Sequence, residues 1–234
     1  MNTFFAVSTG PARSDYLTLG AVKALNRCGT IFYPVTGGEK HVAFDCVREA
    51  VDVSRKNCIG MKFSMTTDEK KTSGEYDDFC AQVEKALVKG DVAMVAIGDV
   101  SVYSTAARIG KMLRKKGVPV SFVSGVTSFC AAAGEFALDL AEADEGIRIV
   151  PGDAFFSAGK IDSVLDDAGA KIFMKSPRHL KEIIDIALKK KPTDKLYLVQ
   201  GAGYENKRLF SGRDLDNLPA EVFDKAYMSV LIVM

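Results

Sequence analysis

The chain has 234 residues, 47% hydrophobic and 26% charged, with a formal net charge of +1. That is enough apolar material for one large domain or two modest ones, and no run approaches the roughly 20 apolar residues of a membrane span. The residues before Gly117 carry +4 and the rest −3, so a small anionic ligand is permitted, while the absence of a dense basic stripe disfavours a long nucleic-acid groove.

The opening "MNTFFAVSTGPARSD" has neither a basic leader region nor a cleavage site, and "TFFAV" reads as a first strand, so a cytoplasmic address is expected. Strand-length apolar runs follow at 3–8, 29–34, 92–97, 119–123, 147–150, 170–174, 195–200 and 227–233. Helical patterns fall at 14–27, 41–55, 76–89, 103–116, 126–137, 158–168 and 178–190; in the third, Phe79, Val83, Ala86 and Leu87 keep helical spacing before Gly90. This alternation predicts an α/β fold with mostly parallel strands buried on both faces. "KKGVPV" at 115–120 reads as a connector where the charge balance changes sign, which predicts an N-terminal α/β domain at 1–117 and a C-terminal one at 118–234. The tail from Lys195 holds several strands with little helix between, as antiparallel strands finishing a mixed sheet would.

The five cysteines (28, 46, 58, 80 and 130) are widely spaced, form no CxxC pair, and have only His41 and His179 to supplement them. A disulfide framework and a zinc site are both poorly supported, and no protein-bound metal is expected. In an open α/β sheet, ligands bind beyond the carboxyl ends of the strands. Three glycine-bearing turns occupy such ends: "STGPARSD", "IGDVSVY" and "VSGVTSF". Asp99 supplies a carboxylate, and Thr127 and Ser128 supply hydroxyls near a helix start. Each also has a plain structural reading: Gly98 relieves crowding, and Asp99, Thr127 or Ser128 caps a helix. No standard phosphate motif is present, and the residues by themselves lead to a cofactor cleft of unspecified kind.

The order and spacing of these pieces resemble the tetrapyrrole methylase family, the S-adenosylmethionine enzymes of corrin and sirohaem synthesis. "VSTGPARSDYLTLGAVKAL" is similar to the family's opening strand and glycine-rich turn, "IGDVSVYST" to its Gly-Asp-Pro signature, and "FVSGVTSFCAAAG" to the hydroxyl-bearing turn that follows. "KIFMKSPRHL", "YLVQGAGYENKRL" and "YMSVLIV" extend the similarity over essentially the whole chain. Within the family, "GDVSVYST", "GVTSFCAAA" and "LAEADEGIRIVPG" are most similar to the branch acting at C20 of precorrin-2 or cobalt-precorrin-2. Ser8 and Ala12 stand where the family carries glycines, Val100 and Ser124 where it carries prolines, and Gln200 and Gly201 where the branch often carries Ser-Arg.

The resemblance implies two α/β domains with S-adenosylmethionine folded in a cleft between them, and a homodimer. Carried over position by position, it assigns cofactor contact to Pro11, Ile97, Gly98, Asp99, Val102, Thr127, Ser128, Met174 and Ala202. Met174 is more simply explained by core packing. Tyr103 and Tyr33 are the candidate catalytic, substrate-facing groups, and Lys62, Lys175 and Arg178 are candidate clamps for the acetate and propionate arms of a tetrapyrrole. Two rival readings are a methylase of the same fold acting on protein or RNA, and a diverged cofactor-binding subunit without catalysis.

Overall fold

The computed structural model describes residues 1–35, 41–63 and 69–234, with side chains in the helix that begins at Glu69 described from Gly74 onward. It divides into two units, Met1–Thr127 and Ser128–Met234. The first unit runs β1 (Phe4–Ser8), α1 (Leu19–Arg27), β2 (Thr30–Val35), α2 (Val42–Ala50), β3 (Asn57–Lys62), α3 (Glu69–Leu87), β4 (Val92–Ala96), α4 (Thr105–Lys115) and β5 (Val120–Val123). Its five strands lie in the order β3-β2-β4-β1-β5, parallel at every pairing.

Parallel strands need both faces covered, and the side-chain alternation of β1 and β4 supplies two apolar faces. Phe4, Ala6, Val92 and Met94 join Phe79, Val83, Ile109 and Leu113 of α3 and α4 in one core. Val7, Ala93 and Val95 join Ala21, Leu25, Phe44 and Val47 of α1 and α2 in the other. The helix following β1 and the helix following β4 therefore leave toward opposite faces. Because β1 and β4 are neighbours, their carboxyl ends form the crevice where such sheets bind ligands.

The second unit runs α5 (Ser128–Glu135), β6 (Ile147–Pro151), α6 (Gly152–Ser157), α7 (Ile161–Asp166), β7 (Ala170–Met174), α8 (Leu180–Lys190), β8 (Leu196–Gln200), β9 (Arg208–Ser211), α9 (Ala220–Asp224) and β10 (Ser229–Val233). The strand order is β6-β7-β10-β8-β9, and β10 is antiparallel to both of its neighbours. The expected mixed sheet is present, with the last strand, buried at all five residues, at its centre. No described helix is long and apolar enough to cross a membrane.

Three sequence-based expectations change. The edge strand β3 was missed because exposed Asn57, Gly60 and Lys62 interrupt the apolar residues of "NCIGMK". The predicted helices at 14–27 and 103–116 begin later, at Leu19 and Thr105. The side chains of Thr18 and Ser104 accept from the amides of Ala21 and Ala107 and fix those starts. Tyr103 therefore lies in the loop before α4.

The third change concerns the domain boundary, which falls after Thr127 and not at 117/118. The run after "KKG" is β5, which pairs in register with β1 from Phe4↔Val120 to Val7↔Val123, and Phe4 N also donates to Pro119 O at 2.9 Å. A fragment ending at Thr127 should accordingly be soluble and unfold cooperatively in urea. A fragment ending at Gly117 loses an edge strand from β1 and should show no cooperative transition by circular dichroism.

Candidate functional site

The loops after β1 and β4 are joined backbone to backbone. Gly98 N donates to Gly10 O at 2.9 Å, Gly10 N donates to Gly98 O at 3.2 Å, and Thr9 N donates to Ala96 O at 2.9 Å. Gly10 and Gly98 have φ of +67° and +75°, a conformation glycine adopts without the side-chain penalty other residues incur. Gly98 is thus required by the turn, and its amide and carbonyl both engage the first loop.

Asp99 is 7% exposed. Its Oδ1 accepts from Ser101 N at 2.7 Å and from the Ser101 hydroxyl, and its Oδ2 accepts from Gly125 N at 2.7 Å. The carboxylate therefore fastens the loop after β4 to the loop after β5. Burial alone would raise its pKa, but the hydrogen bonds from Ser101, Gly125 and Ser8 together hold it below the usual carboxylate value. The helix-capping reading of Asp99 is not what is found, since Ser104 caps α4. Ser8, fully buried, accepts from Val100 N at 2.9 Å. On the far side of the sheet edge, the Thr18 hydroxyl donates to Ser124 O at 3.3 Å.

Around this knot stand the other candidates of the first unit. Pro11 is buried, and Ile97, Val102 and Thr127 are half-buried. Tyr103 is 44% exposed and has φ of +51°, in the left-handed region that is rare for a bulky residue. Partial burial raises its hydroxyl pKa, so it is a protonated donor at neutral pH. Ala12, where glycine was expected, also sits at positive φ, +58°. Tyr33 lies on β2, stacked on Phe44 at 4.2 Å and edge-on to His41 at 5.4 Å; its ring is held in an aromatic cluster. Lys62 is exposed at the carboxyl end of the edge strand β3, separated from β1 by β2 and β4.

In the second unit, Ser128 opens α5. Met174 ends β7, half-buried, and Ala202 follows β8, 5% exposed; the two flank the start of β10, where Gly201 N donates to Met228 O at 3.0 Å. Lys175 has φ of +53° and places its ammonium over the Tyr227 ring at 5.5 Å. Arg178 is tied to Asp153, which accepts from its amide and its Nε at 3.2 Å and from the His179 amide at 3.1 Å. His179 Nδ1 lies 3.2 Å from the same carboxylate, and its ring stacks on Phe156 at 4.4 Å. Asp153 is the residue that sequence reasoning missed. It sits 25 positions before Arg178, and no local pattern announces it as the acceptor for the amides that lead into α8.

The sequence matches the family described as Tetrapyrrole (Corrin/Porphyrin) Methylases over residues 3–215. It is 30% identical over 232 residues to a protein of Methanocaldococcus jannaschii named "Probable cobalt-precorrin-2 C(20)-methyltransferase", covering 98% of this chain and 94% of that one. A Sinorhizobium protein named precorrin-2 C(20)-methyltransferase is 25% identical over 76% of this chain and 74% of its own. The uroporphyrin-III-C-methyltransferase structure from Thermus thermophilus superposes with a TM-score of 0.69 at 19% identity, covering all of this chain and 94% of that one, which speaks to the fold.

The Asp99 arrangement has a pH signature. A carboxyl whose folded pKa is depressed adds stability above its unfolded value, and that stability is lost as pH falls through the folded value. Asp99→Asn should lower the unfolding free energy by about 1–3 kcal/mol at pH 7, the usual cost of disrupting a buried hydrogen-bonded charge. The difference between the two chains, measured by urea unfolding, should shrink steadily below about pH 4.

Proposed function

The chain belongs to the tetrapyrrole (corrin/porphyrin) methylases, and we propose that it transfers a methyl group from S-adenosylmethionine to the C20 meso carbon of precorrin-2 or cobalt-precorrin-2. The observation that carries this reading is the near end-to-end match to the archaeal protein bearing that name. The reading includes a homodimer, as the resemblance implies, and a cytoplasmic address.

The residues at the carboxyl ends of β1 and β4 fit the donor. Ile97 and Val102 offer half-buried apolar surface for an adenosine group on either side of a turn already closed by its own hydrogen bonds. The Asp99 carboxylate, held ionised, sets negative charge beneath that turn, which suits a sulfonium. Pro11, Gly98, Thr127 and Ser128 complete the first set of proposed contacts, and Met174 and Ala202 are the second unit's candidates for apolar contact.

When bound, S-adenosylmethionine supplies the electrophilic methyl group. The chain's own work is to hold the nucleophilic carbon in line with that group and to keep water away; orientation of this kind is worth up to about 7–11 kcal/mol in favourable cases. Tyr103, protonated and half-exposed at the end of the turn, is assigned a hydrogen bond to the substrate's pyrrole edge. Lys175 and Arg178 are assigned to its carboxylate arms. Tyr33 on β2 and Lys62 at the end of β3 are the remaining substrate-side candidates.

Calorimetry should detect S-adenosylmethionine binding, and incubation with cobalt-precorrin-2 should add one methyl group by mass spectrometry. No binding at millimolar cofactor would overturn the methylase reading, and binding without transfer to any reduced tetrapyrrole would redirect it to protein or RNA. Tyr103→Phe should lower kcat about 10-fold or more, within the range of one positioned proton donor, while cofactor affinity stays within about twofold. An equal loss in both would remove Tyr103 from the substrate side.

A further inference from the structure

We infer that Ser8 is a positioning residue for the cofactor turn, and that it acts as one half of a matched pair with Val100. The inference rests on the cofactor reading above, because it takes the turn at Ile97–Val102 as the surface that meets S-adenosylmethionine.

Val102 N donates to Asp99 O at 3.1 Å, so residues 99–102 form a β-turn with Val100 at its second position. Asp99 Oδ1 accepting from Ser101 N reinforces it. The second position is where proline is favoured, because its fixed φ suits the turn and the turn needs no donor there. Valine brings an amide N–H into a place that is 1% exposed, and a buried donor without a partner is costly. Ser8, 0% exposed at the last position of β1, meets it with Oγ at 2.9 Å. The same hydroxyl is among the groups that hold the Asp99 carboxyl down. Both the amide that valine introduces and the carboxylate that ties in Gly125 thus converge on one side chain.

Space for Ser8 exists only because residue 125 is glycine. A Cβ there would fall 2.5 Å from Ser8 Cβ and 3.3 Å from Gly98 O. Four residues from three loops are therefore interdependent: Ser8 from the end of β1, Asp99 and Val100 from the turn after β4, and Gly125 after β5. Ser8, with no exposed surface of its own, acts on the orientation of the turn proposed to meet the cofactor. A smaller residue at 8 leaves the Val100 amide unmet, and proline at 100 leaves the hydroxyl without that donor. Each change should then be tolerated best in the company of the other.

A double-mutant cycle tests the pair, with Ser8→Ala removing the hydroxyl and Val100→Pro removing the donor. The dissociation constant for S-adenosylmethionine would be measured for the unchanged chain, both single variants and the double variant. Ser8→Ala should weaken binding about 10-fold in the Val100 chain, matching the cost of one unpaired buried donor. The same change should cost less than about threefold in the Val100→Pro chain. The loss should appear in KM for the cofactor and not in kcat, whereas a purely structural role would lower the denaturation midpoint without moving KM.

Equal weakening in both backgrounds, or no weakening while the unchanged chain binds, would overturn the pairing and leave the methylase reading standing. Failure of the unchanged chain to bind would overturn that reading and, with it, the positioning role. If the Val100→Pro chain does not fold, amide exchange in Ser8→Ala decides. The Val100 N–H should exchange at least about 10-fold faster with cofactor affinity reduced in step, and an unchanged rate refutes the contact.

Discussion

The first unit depends on how two neighbouring parallel strands part company. β1 and β4 lie side by side in register from Phe4↔Val92 to Ser8↔Ala96, yet the helices that follow them pack on opposite faces of the sheet. Their loops must diverge immediately beyond Ser8 and Ala96, which opens a crevice and leaves backbone amides and carbonyls with no strand to bond. Such groups cannot stay buried unpaired. The Gly10–Gly98 exchange, the Thr9–Ala96 bond and the Asp99 carboxylate answer that demand. Burial opposes the charge on Asp99, and three hydrogen-bonding neighbours outweigh burial. The walls of the crevice are thereby tied to one another by hydrogen bonds, and preorganisation of that kind reduces the ordering cost of binding.

Backbone strain is distributed along the same edges. Ala12, Tyr103 and Lys175 hold left-handed φ angles without being glycine, in the loops that follow β1, β4 and β7. Each costs on the order of 1 kcal/mol or more relative to glycine at that conformation. For Tyr103, the cost accompanies an exposed ring in a loop that glycine would serve better on backbone grounds alone. The side chain is what the position retains, which agrees with a substrate-facing role. Lys175 presents a comparable case, its ammonium carried over the Tyr227 ring. Ala12 has only a methyl group to show for its conformation, and nothing in the structure explains it.

Much of the fold was legible because burial on both faces writes parallel strands as continuous apolar runs. Val92–Ala96, buried at all five residues and parallel to both neighbours, falls where the sequence predicts it. The edge strand β3 was not legible, since an exposed edge needs no apolar run and Asn57, Gly60 and Lys62 mask it. The domain boundary was misplaced because a charge reversal coincides with "KKG", whereas the chain actually leaves the first sheet only after β5 has paired with β1. In the site, the glycine-bearing turns could be read locally, whereas Tyr103 was assigned to a helix that begins only at Thr105. The partners of Asp99 and Arg178 could not, because Gly125 and Asp153 are each about 25 residues distant in sequence and the pairing exists only once strands are in register. Tyr33 looked like a strand-end hydroxyl, but its ring is committed to Phe44 and His41.

The departures from the family pattern take on a different meaning for the same reason. Taken one at a time, serine for glycine at position 8 and valine for proline at position 100 look like the decay of a cofactor turn. Glycine with proline presents neither a side-chain acceptor nor an amide donor, and serine with valine presents one of each, meeting at 2.9 Å in a buried place. Serine with valine leaves the buried amide partnered, whereas glycine at 8 with valine at 100 would leave it orphaned. A chain losing its function has no reason to change both positions in this matched way. A turn rebuilt with its hydrogen bonds closed is the mark of a surface still under constraint, which removes the main motive for reading this chain as a subunit without catalysis.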